Sequence, residues 1–159
     1  YYHSGRESGT QRAPSEYAQD FVEFVKRLGE QYGTAGTRFY LFLDPSAQGL
    51  AEEIKRACRG VHVPVLVRDA ENDVRLGISR VQKALIFGIM GIAPKQENLI
   101  REIGVYAYHP KALERGKEEP IKIDDHCADA LRYLVMGMWT KIKHWLPVGE
   151  QDDEEEDGQ

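Results

Sequence analysis

Residues 38–46 read Arg-Phe-Tyr-Leu-Phe-Leu-Asp-Pro-Ser, a short and nearly continuous apolar run that stops at an acid and a proline. Such a run predicts a strand buried inside a sheet that is covered on both faces. Strands alternate with helical patterns along the rest of the chain, so the sequence predicts an α/β fold. Ligands gather beyond the carboxyl ends of strands in open α/β sheets, which makes Asp44 a candidate site residue.

The neighbouring elements follow from hydrophobic spacing and from helix start signals. Helices are predicted from Pro14, after Ser46, from Asn72 or Asp73, over residues 94–103 and over residues 124–139. Further strands are predicted at residues 1–3, 63–67 and 86–92, with an extended piece at residues 105–108.

Composition indicates one globular domain at residues 1–146, followed by an acidic, disordered tail at residues 147–159. The 159 residues are 42% hydrophobic and 30% charged, values typical of a globular protein. Six acids at residues 152–157 dominate the net charge of −5, and without them 21 basic residues face 20 acidic ones. No segment approaches the roughly 20 apolar residues that span a bilayer, so no membrane association is expected.

A cluster of acids and a histidine lies near the start of the last predicted helix. Asp125 and Asp129 are four residues apart and share a helix face, and His126 and Asp129 are three apart. Crowded carboxylates repel each other unless a cation neutralises them, and Mg²⁺ or Mn²⁺ prefers carboxylate oxygen. The alternative is helix capping: acids suit a first helical turn, and Asp44 is equally suited to cap the helix that follows it.

Phosphodiester cleavage would suit such carboxylates. Two metal ions about 3.5–4 Å apart activate the attacking water and stabilise the leaving oxygen. Such a pair of ions needs at least three acidic side chains from separate elements, and Asp44 and Asp129 are two of them.

Residues 123–133 read Ile-Asp-Asp-His-Cys-Ala-Asp-Ala-Leu-Arg-Tyr. This stretch resembles the Asp-His-x-x-Asp-Ala-x-Arg-Tyr motif that closes the nuclease domain of phage large terminase subunits. Residues 42–47 resemble the second metal-ligand strand of that family, and residues 72–82 resemble the helix between the two motifs. The similarity covers roughly residues 1–140.

The resemblance implies a ribonuclease H-like fold, a mixed β-sheet flanked by helices, that cuts concatemeric double-stranded viral DNA with two Mg²⁺ or Mn²⁺ ions. By that resemblance Asp44 and Asp129 are metal ligands, His126 is a ligand or orients water, and Asp125 supports the site. The implied partners are double-stranded DNA, an upstream ATPase domain, the portal and the small terminase subunit. The implied location is the host cytoplasm.

The chain departs from the family pattern at the first metal ligand. An aspartate on the first strand of the sheet is expected upstream of residue 1, because the chain opens inside the hairpin that follows that strand. The isolated chain is therefore expected to cleave DNA poorly or not at all. No Gly-x-x-x-x-Gly-Lys-Ser/Thr loop occurs in the 159 residues.

Basic residues of the loop at 109–122 are expected to contact the DNA backbone, because cations near the carboxylates hold phosphates. The residues concerned are Lys111, Arg115, Lys117 and Lys122. Interleaved glutamates leave open the alternative of a solvated loop. Glu102, on an otherwise apolar helix face, is expected either to form an ordinary ion pair along its helix or to serve the site indirectly.

Two other functions stay open on the sequence alone. Another ribonuclease H-like nuclease, such as a junction resolvase or a transposase core, would also use separated carboxylates. A docking module on the packaging motor, inactive because its first ligand is absent, would not bind metal.

Overall fold

The chain divides after Asp69 into two units, Tyr1–Asp69 and Ala70–Gln159, in a computed structural model. The structure describes residues 9–33, 36–107, 115, 120–121 and 125–151. Each unit has its own hydrophobic cluster. The predicted strand at residues 1–3 and the acidic run at 152–157 lie outside the described residues.

The first unit contains helix α1 (Pro14–Tyr32), strand β1 (Phe39–Leu43), helix α2 (Gln48–Gly60) and strand β2 (Val65–Asp69). The two strands pair in parallel, from Phe39 opposite Val65 to Leu43 opposite Asp69. Helix α2 makes the crossover that a parallel pair requires. The α/β class is thereby confirmed, and the sheet that the described residues form has two strands.

Alternate side chains of the two strands pack against the helices of the first unit. Leu41 and Leu43 from β1 and Val65 and Val67 from β2 lie on one face. They pack against a buried cluster from the helices. That cluster consists of Ala18, Val22, Ile54 and Cys58. Tyr40, which points to the other face, is 36% exposed, so β1 is not buried along its whole length as its apolar run predicted.

The second unit contains helices α3 (Val74–Ile86), α4 (Glu97–Val105) and α5 (His126–Ile142), followed by a 3₁₀ turn (Lys143–Trp145). Asp73 caps α3, because its side chain accepts a hydrogen bond from the backbone N–H of Leu76 at 2.9 Å. Val135, Trp139 and Leu146 are the buried residues of its hydrophobic cluster.

Helices α3 and α5 approach each other closely at Gly77. A Cβ atom at this position would lie 2.5 Å from Cγ and 2.7 Å from Cδ of Arg132. Glycine is therefore needed here for space and not for an unusual backbone conformation.

The predicted strand at residues 86–92 is wrong. Helix α3 continues to Ile86 and ends in a turn in which the N–H of Phe87 donates to the carbonyl of Lys83 at 3.0 Å. Gly88 has a φ of +66°, which is incompatible with an extended strand. The apolar side chains Ile89 and Met90 of this segment pack against the hydrophobic cluster from a loop.

The last two helices were predicted with shifted ends. Helix α4 begins at Glu97 and ends at Val105, so Val105 is helical, whereas Tyr106 is extended. The last residue of the predicted extended piece, Tyr108, lies outside the described residues. Helix α5 begins at His126 and continues to Ile142, beyond the predicted end at residue 139. None of the helices that the structure describes is long and apolar enough to cross a membrane.

The residues directly after Leu146 form a turn. The N–H of Glu150 donates to the carbonyl of Pro147 at 3.0 Å, and the Gln151 side chain donates to the carbonyl of Leu146 at 2.9 Å. Lys83 of α3 lies 3.6 Å from the Glu150 carboxylate. The part of the predicted tail at residues 147–151 is thus a turn that contacts helix α3 through Glu150.

Candidate functional site

Asp44 follows β1 directly and lies in a tight turn. Its Oδ1 accepts hydrogen bonds from the N–H of Ser46 at 2.8 Å and from the Ser46 hydroxyl at 2.6 Å. Helix α2 begins at Gln48 with Ala47 in the capping position. Asp44 therefore does not cap α2, and the capping alternative for this residue is wrong. Its carboxylate stands at the carboxyl end of a parallel strand.

A second acid, Asp69, stands at the carboxyl end of the neighbouring strand β2. The strand pairing places it opposite Leu43, the residue before Asp44. The Gln48 side chain donates to Asp69 Oδ1 at 3.1 Å and to the carbonyl of Pro45 at 3.0 Å. Asp69 was not among the predicted site residues, because the strand was predicted to end two residues early, at Val67. An acid two residues after the apolar run is the sequence feature that could have identified it.

The first turn of α5 carries the predicted acid and histidine cluster. Asp125 is 7% exposed and occupies the capping position, but its side chain makes no capping hydrogen bond. His126 is the first helical residue, its side chain is 88% exposed, and its Nδ1 lies 3.9 Å from Asp125 Oδ1. The N–H of Asp129 donates to the carbonyl of Asp125 at 2.8 Å. Side-chain capping by Asp125 is therefore not what holds the start of this helix.

The carboxylate that caps α5 comes from Glu102 on α4. Its Oε2 accepts hydrogen bonds from the backbone N–H groups of Cys127 at 2.6 Å and of Ala128 at 3.0 Å. Glu102 is 1% exposed. A negative charge at a helix N-terminus also interacts favourably with the helix dipole. Glu102 therefore contacts the helix that carries Asp129, and an indirect role of Glu102 in the site stays a prediction.

The thiol of Cys127 is affected by the same carboxylate. Burial, together with the hydrogen bond and the charge of Glu102, raises the pKa of the Cys127 thiol to about 11. The thiol is therefore neutral at neutral pH, and its environment is unlike that of reactive cysteines, whose pKa is lowered.

Asp129 contacts a buried arginine. Arg132 Nη2 donates to Asp129 Oδ1 at 2.9 Å, and both terminal nitrogens of Arg132 lie 3.1 Å from Asn72 Oδ1. The side chain of Arg132 is 2% exposed and that of Asp129 is 19% exposed. The guanidinium also lies 4.7 Å from the centre of the Tyr133 ring. From the sequence, Asn72 was a candidate helix cap, and neither Asn72 nor Arg132 was assigned a role in the site.

The predicted site residues fall into two groups. Asp44 belongs to the first unit, and Asp125, His126 and Asp129 lie together at the start of α5 in the second. Within the described residues, no group of three or more His, Cys, Asp or Glu side chains is arranged to hold a metal ion. Of the predicted DNA contacts, Arg115 is exposed. Lys111, Lys117 and Lys122 lie outside the described residues.

The chain is similar in structure and sequence to a phage large terminase. The similar structures are of the large terminase from a thermophilic bacteriophage. One of them superposes with a TM-score of 0.70 and 30% sequence identity, over 85% of this chain and 31% of the terminase. Structures of the same terminase in complex with ADP and with ATP-γ-S each give a TM-score of 0.68 at 30% identity and the same coverage.

This chain therefore spans about a third of the length of that terminase. No protein-family model matches the sequence, and no curated protein matches it significantly. The likeness to large terminases expected from the sequence is thereby supported. The assignment to the nuclease domain stays a prediction.

Proposed function

We propose that this chain is the ribonuclease H-like nuclease part of a large terminase, and that it cuts concatemeric double-stranded viral DNA during genome packaging. The likeness to the thermophilic phage terminase, at 30% identity over 85% of the chain, supports the family. The motif at residues 123–133 supports the nuclease part. The observation that carries the proposal is the position of Asp44, an acid beyond a parallel strand that does not cap the next helix.

Asp44 and Asp129 are the proposed metal ligands, with His126 as a further ligand or as the residue that orients the attacking water. Their carboxylate and imidazole groups suit Mg²⁺ or Mn²⁺. Two such ions would lower the pKa of the attacking water and stabilise the leaving oxygen. Asp125, one residue before the exposed His126, would support the metal site.

The remaining partners follow from the same proposal. Lys111, Arg115, Lys117 and Lys122 would hold DNA phosphates, which positions a duplex without reading its sequence. The ATPase domain, the portal and the small terminase subunit are the proposed protein partners, and the host cytoplasm is the proposed location.

Nucleotide binding is the second candidate function, because structures of the similar terminase contain ADP or ATP-γ-S. Phosphate binding in many ATPases uses a Gly-x-x-x-x-Gly-Lys-Ser/Thr loop. The 159 residues contain no such pattern, and Lys117, which follows Gly116, precedes a glutamate. The nuclease function is therefore the better supported of the two.

An assay of DNA cleavage by the full-length natural protein tests the proposal. Linear duplex should be cut in the presence of Mg²⁺ or Mn²⁺ and left intact with EDTA, and Asp44→Asn and Asp129→Asn should each abolish cutting. Glu97→Gln, on the exposed first turn of α4, is the matched control and should cut like the wild type.

Three outcomes would contradict the proposal. Preferential cutting of four-way junctions would indicate a resolvase. ATP hydrolysis lost through substitutions within residues 9–151, with no cutting of duplex, would favour the nucleotide-binding function. Undiminished cutting by both aspartate variants would refute the assigned ligands.

A further inference from the structure

We infer that the second unit contains a binding site for a small, neutral aromatic molecule that carries one hydrogen-bond acceptor. The site is a cavity of about 180 Å³ that is lined by residues of α3, α4 and α5 and by Tyr106, which follows α4. None of the residues proposed as metal ligands lines this cavity. The inference is therefore independent of the proposed function.

Most of the cavity lining is apolar, as it is in sites that bind small molecules. The apolar lining residues are Ile78, Val81 and Leu85 of α3, Ile103 of α4, and Ala128 and Leu131 of α5. The residues from α3 are spaced by three and four and those from α5 by three, so each set shares one face of its helix. All of them are half-buried, so their apolar surface is not fully covered by the described residues.

The volume of the cavity sets the size of the molecule that it accepts. An engineered apolar cavity of about 150 Å³ in another protein stays free of water and binds benzene. The cavity between the three helices, at about 180 Å³, has room for one such ring and a short substituent. Transfer of the ring from water to this apolar lining is favourable.

A buried hydrogen-bond donor belongs to the same lining. The polar lining residues are Gln82, Tyr106 and Arg132, and of these Arg132 is buried, with 2% of its side chain exposed. Its terminal nitrogens donate to Asn72 and Asp129, whereas its Nε has no hydrogen-bond partner among the described residues. A buried donor without an acceptor costs free energy. A bound molecule with an acceptor would remove this cost.

The charge of Arg132 favours a neutral acceptor over an anion. Asp129 Oδ1 lies 2.9 Å from Arg132 Nη2, so the guanidinium already has its counter-ion. A carboxylate in the cavity would lose its hydration without gaining an unpaired cation, and it would be repelled by Asp129. A carbonyl oxygen loses less hydration and still accepts a hydrogen bond from Nε. The matching class of molecule is therefore an aromatic ketone or amide of one ring.

The test is a titration of the 159-residue chain with three compounds of similar size, followed by NMR of its methyl groups. Acetophenone has a ring and a carbonyl, ethylbenzene lacks the acceptor, and benzoate is an anion. Acetophenone should shift the methyl signals of Ile78 and Leu131 in a saturable way. The dissociation constants of ethylbenzene and benzoate should be about tenfold higher, which corresponds to one hydrogen bond from a charged donor.

A filled cavity should no longer bind acetophenone. Ala128→Leu places a larger apolar side chain inside the lining, and it should abolish the saturable shifts. Ala130→Leu is the matched control, because it adds the same side chain to the same helix at an exposed position outside the lining. Its dissociation constant for acetophenone should stay within about twofold of the wild-type value.

Several results would overturn the inference. Equal affinity for acetophenone and ethylbenzene would show that no donor of the cavity meets the ligand, and tighter binding of benzoate would refute the neutral class. The absence of saturable shifts in the wild type, or wild-type affinity in Ala128→Leu, would refute the site. The comparison of the three compounds uses the wild-type chain alone, so it decides the inference even if Ala128→Leu does not fold.

Discussion

Replacing Gly77 by alanine sets two effects of opposite sign against each other at the crossing of α3 and α5. A glycine inside a helix is less favourable than alanine by roughly 0.5–1 kcal/mol, so helix propensity alone predicts a gain in stability. The new methyl group would, however, lie 2.5 Å from Cγ and 2.7 Å from Cδ of Arg132. The sign of the change therefore shows whether this close contact governs the packing.

The structure indicates that the steric clash with Arg132 outweighs the gain in helix propensity. Overpacking a well-packed position costs about 1–3 kcal/mol. The atoms that must move belong to a buried arginine, and moving them lengthens its hydrogen bonds to Asp129 and Asn72. Hydrogen bonds to charged groups contribute roughly 1.5–3 kcal/mol each. We expect a net loss of about 2 kcal/mol in the free energy of unfolding.

Urea denaturation of the 159-residue chain measures this loss, provided that the slope of the transition is unchanged. Gly104→Ala is the matched control, since Gly104 lies in α4 with no atom within 4 Å of its added Cβ. This variant should be stabilised by up to about 1 kcal/mol. Stabilisation of Gly77→Ala like that of Gly104→Ala would show that the close contact with Arg132 does not govern the packing.

A double-mutant cycle isolates the contact. Arg132→Ala removes the two atoms that would lie closer than 3 Å to the new methyl group and leaves Met136 Cγ at 3.4 Å, so Gly77→Ala should be stabilising by roughly 0.5–1 kcal/mol in that background. The coupling energy between the two positions should then be about 2.5–3 kcal/mol. Equal effects of Gly77→Ala in the two backgrounds would show that the loss arises elsewhere.

Three further predictions concern α3, α5 and their caps. Glu102→Ala should destabilise the chain by about 2–3 kcal/mol in thermal unfolding, because two partly buried N–H groups lose their acceptor; wild-type stability would contradict the cap. Glu102→Gln should lower the pKa of the Cys127 thiol from about 11, and burial, the largest cause, should keep it above 9.0. Alkylation rates against pH in a Cys58→Ala background measure this, and an unchanged profile would count against the Glu102 contact. Asp73→Ala should cost about 0.5–2 kcal/mol, whereas Asp73→Asn, which keeps an acceptor for Leu76, should lose less.

The elements that the sequence predicted well are those with local signals. Pro14 at the start of α1 and Asp73 at the start of α3 act within a few residues of their own positions, so they are visible in the sequence. Strand β1 was predicted within one residue, because its apolar run ends at Asp44-Pro45. The apolar residues at 86–92 predicted a strand, but apolar side chains pack equally well from a loop. The positive φ of Gly88 excludes a strand there, and this backbone angle is not visible in the sequence.

The site was predictable only in part, because only some of its residues have local signals in the sequence. Asp44 and the cluster at 125–129 were identified by position and by spacing. The partners that hold them come from distant segments: Glu102 caps a helix 25 residues away, and Asn72 meets Arg132 across 60 residues. No local pattern encodes such contacts, since they depend on how the helices pack. Asp69 was missed because its place depends on the pairing register of the strands.

The proposed function depends on Asp44 and Asp129 both being ligands of divalent metal. Calorimetric titration of the 159-residue chain with Mn²⁺ tests it most directly, with Asp44→Asn and Asp129→Asn compared with Glu52→Gln, an exposed acid on α2 that pairs with Lys55. Each aspartate variant should lose Mn²⁺ binding, and Glu52→Gln should bind Mn²⁺ as the wild type does. Wild-type affinity in either aspartate variant would contradict it.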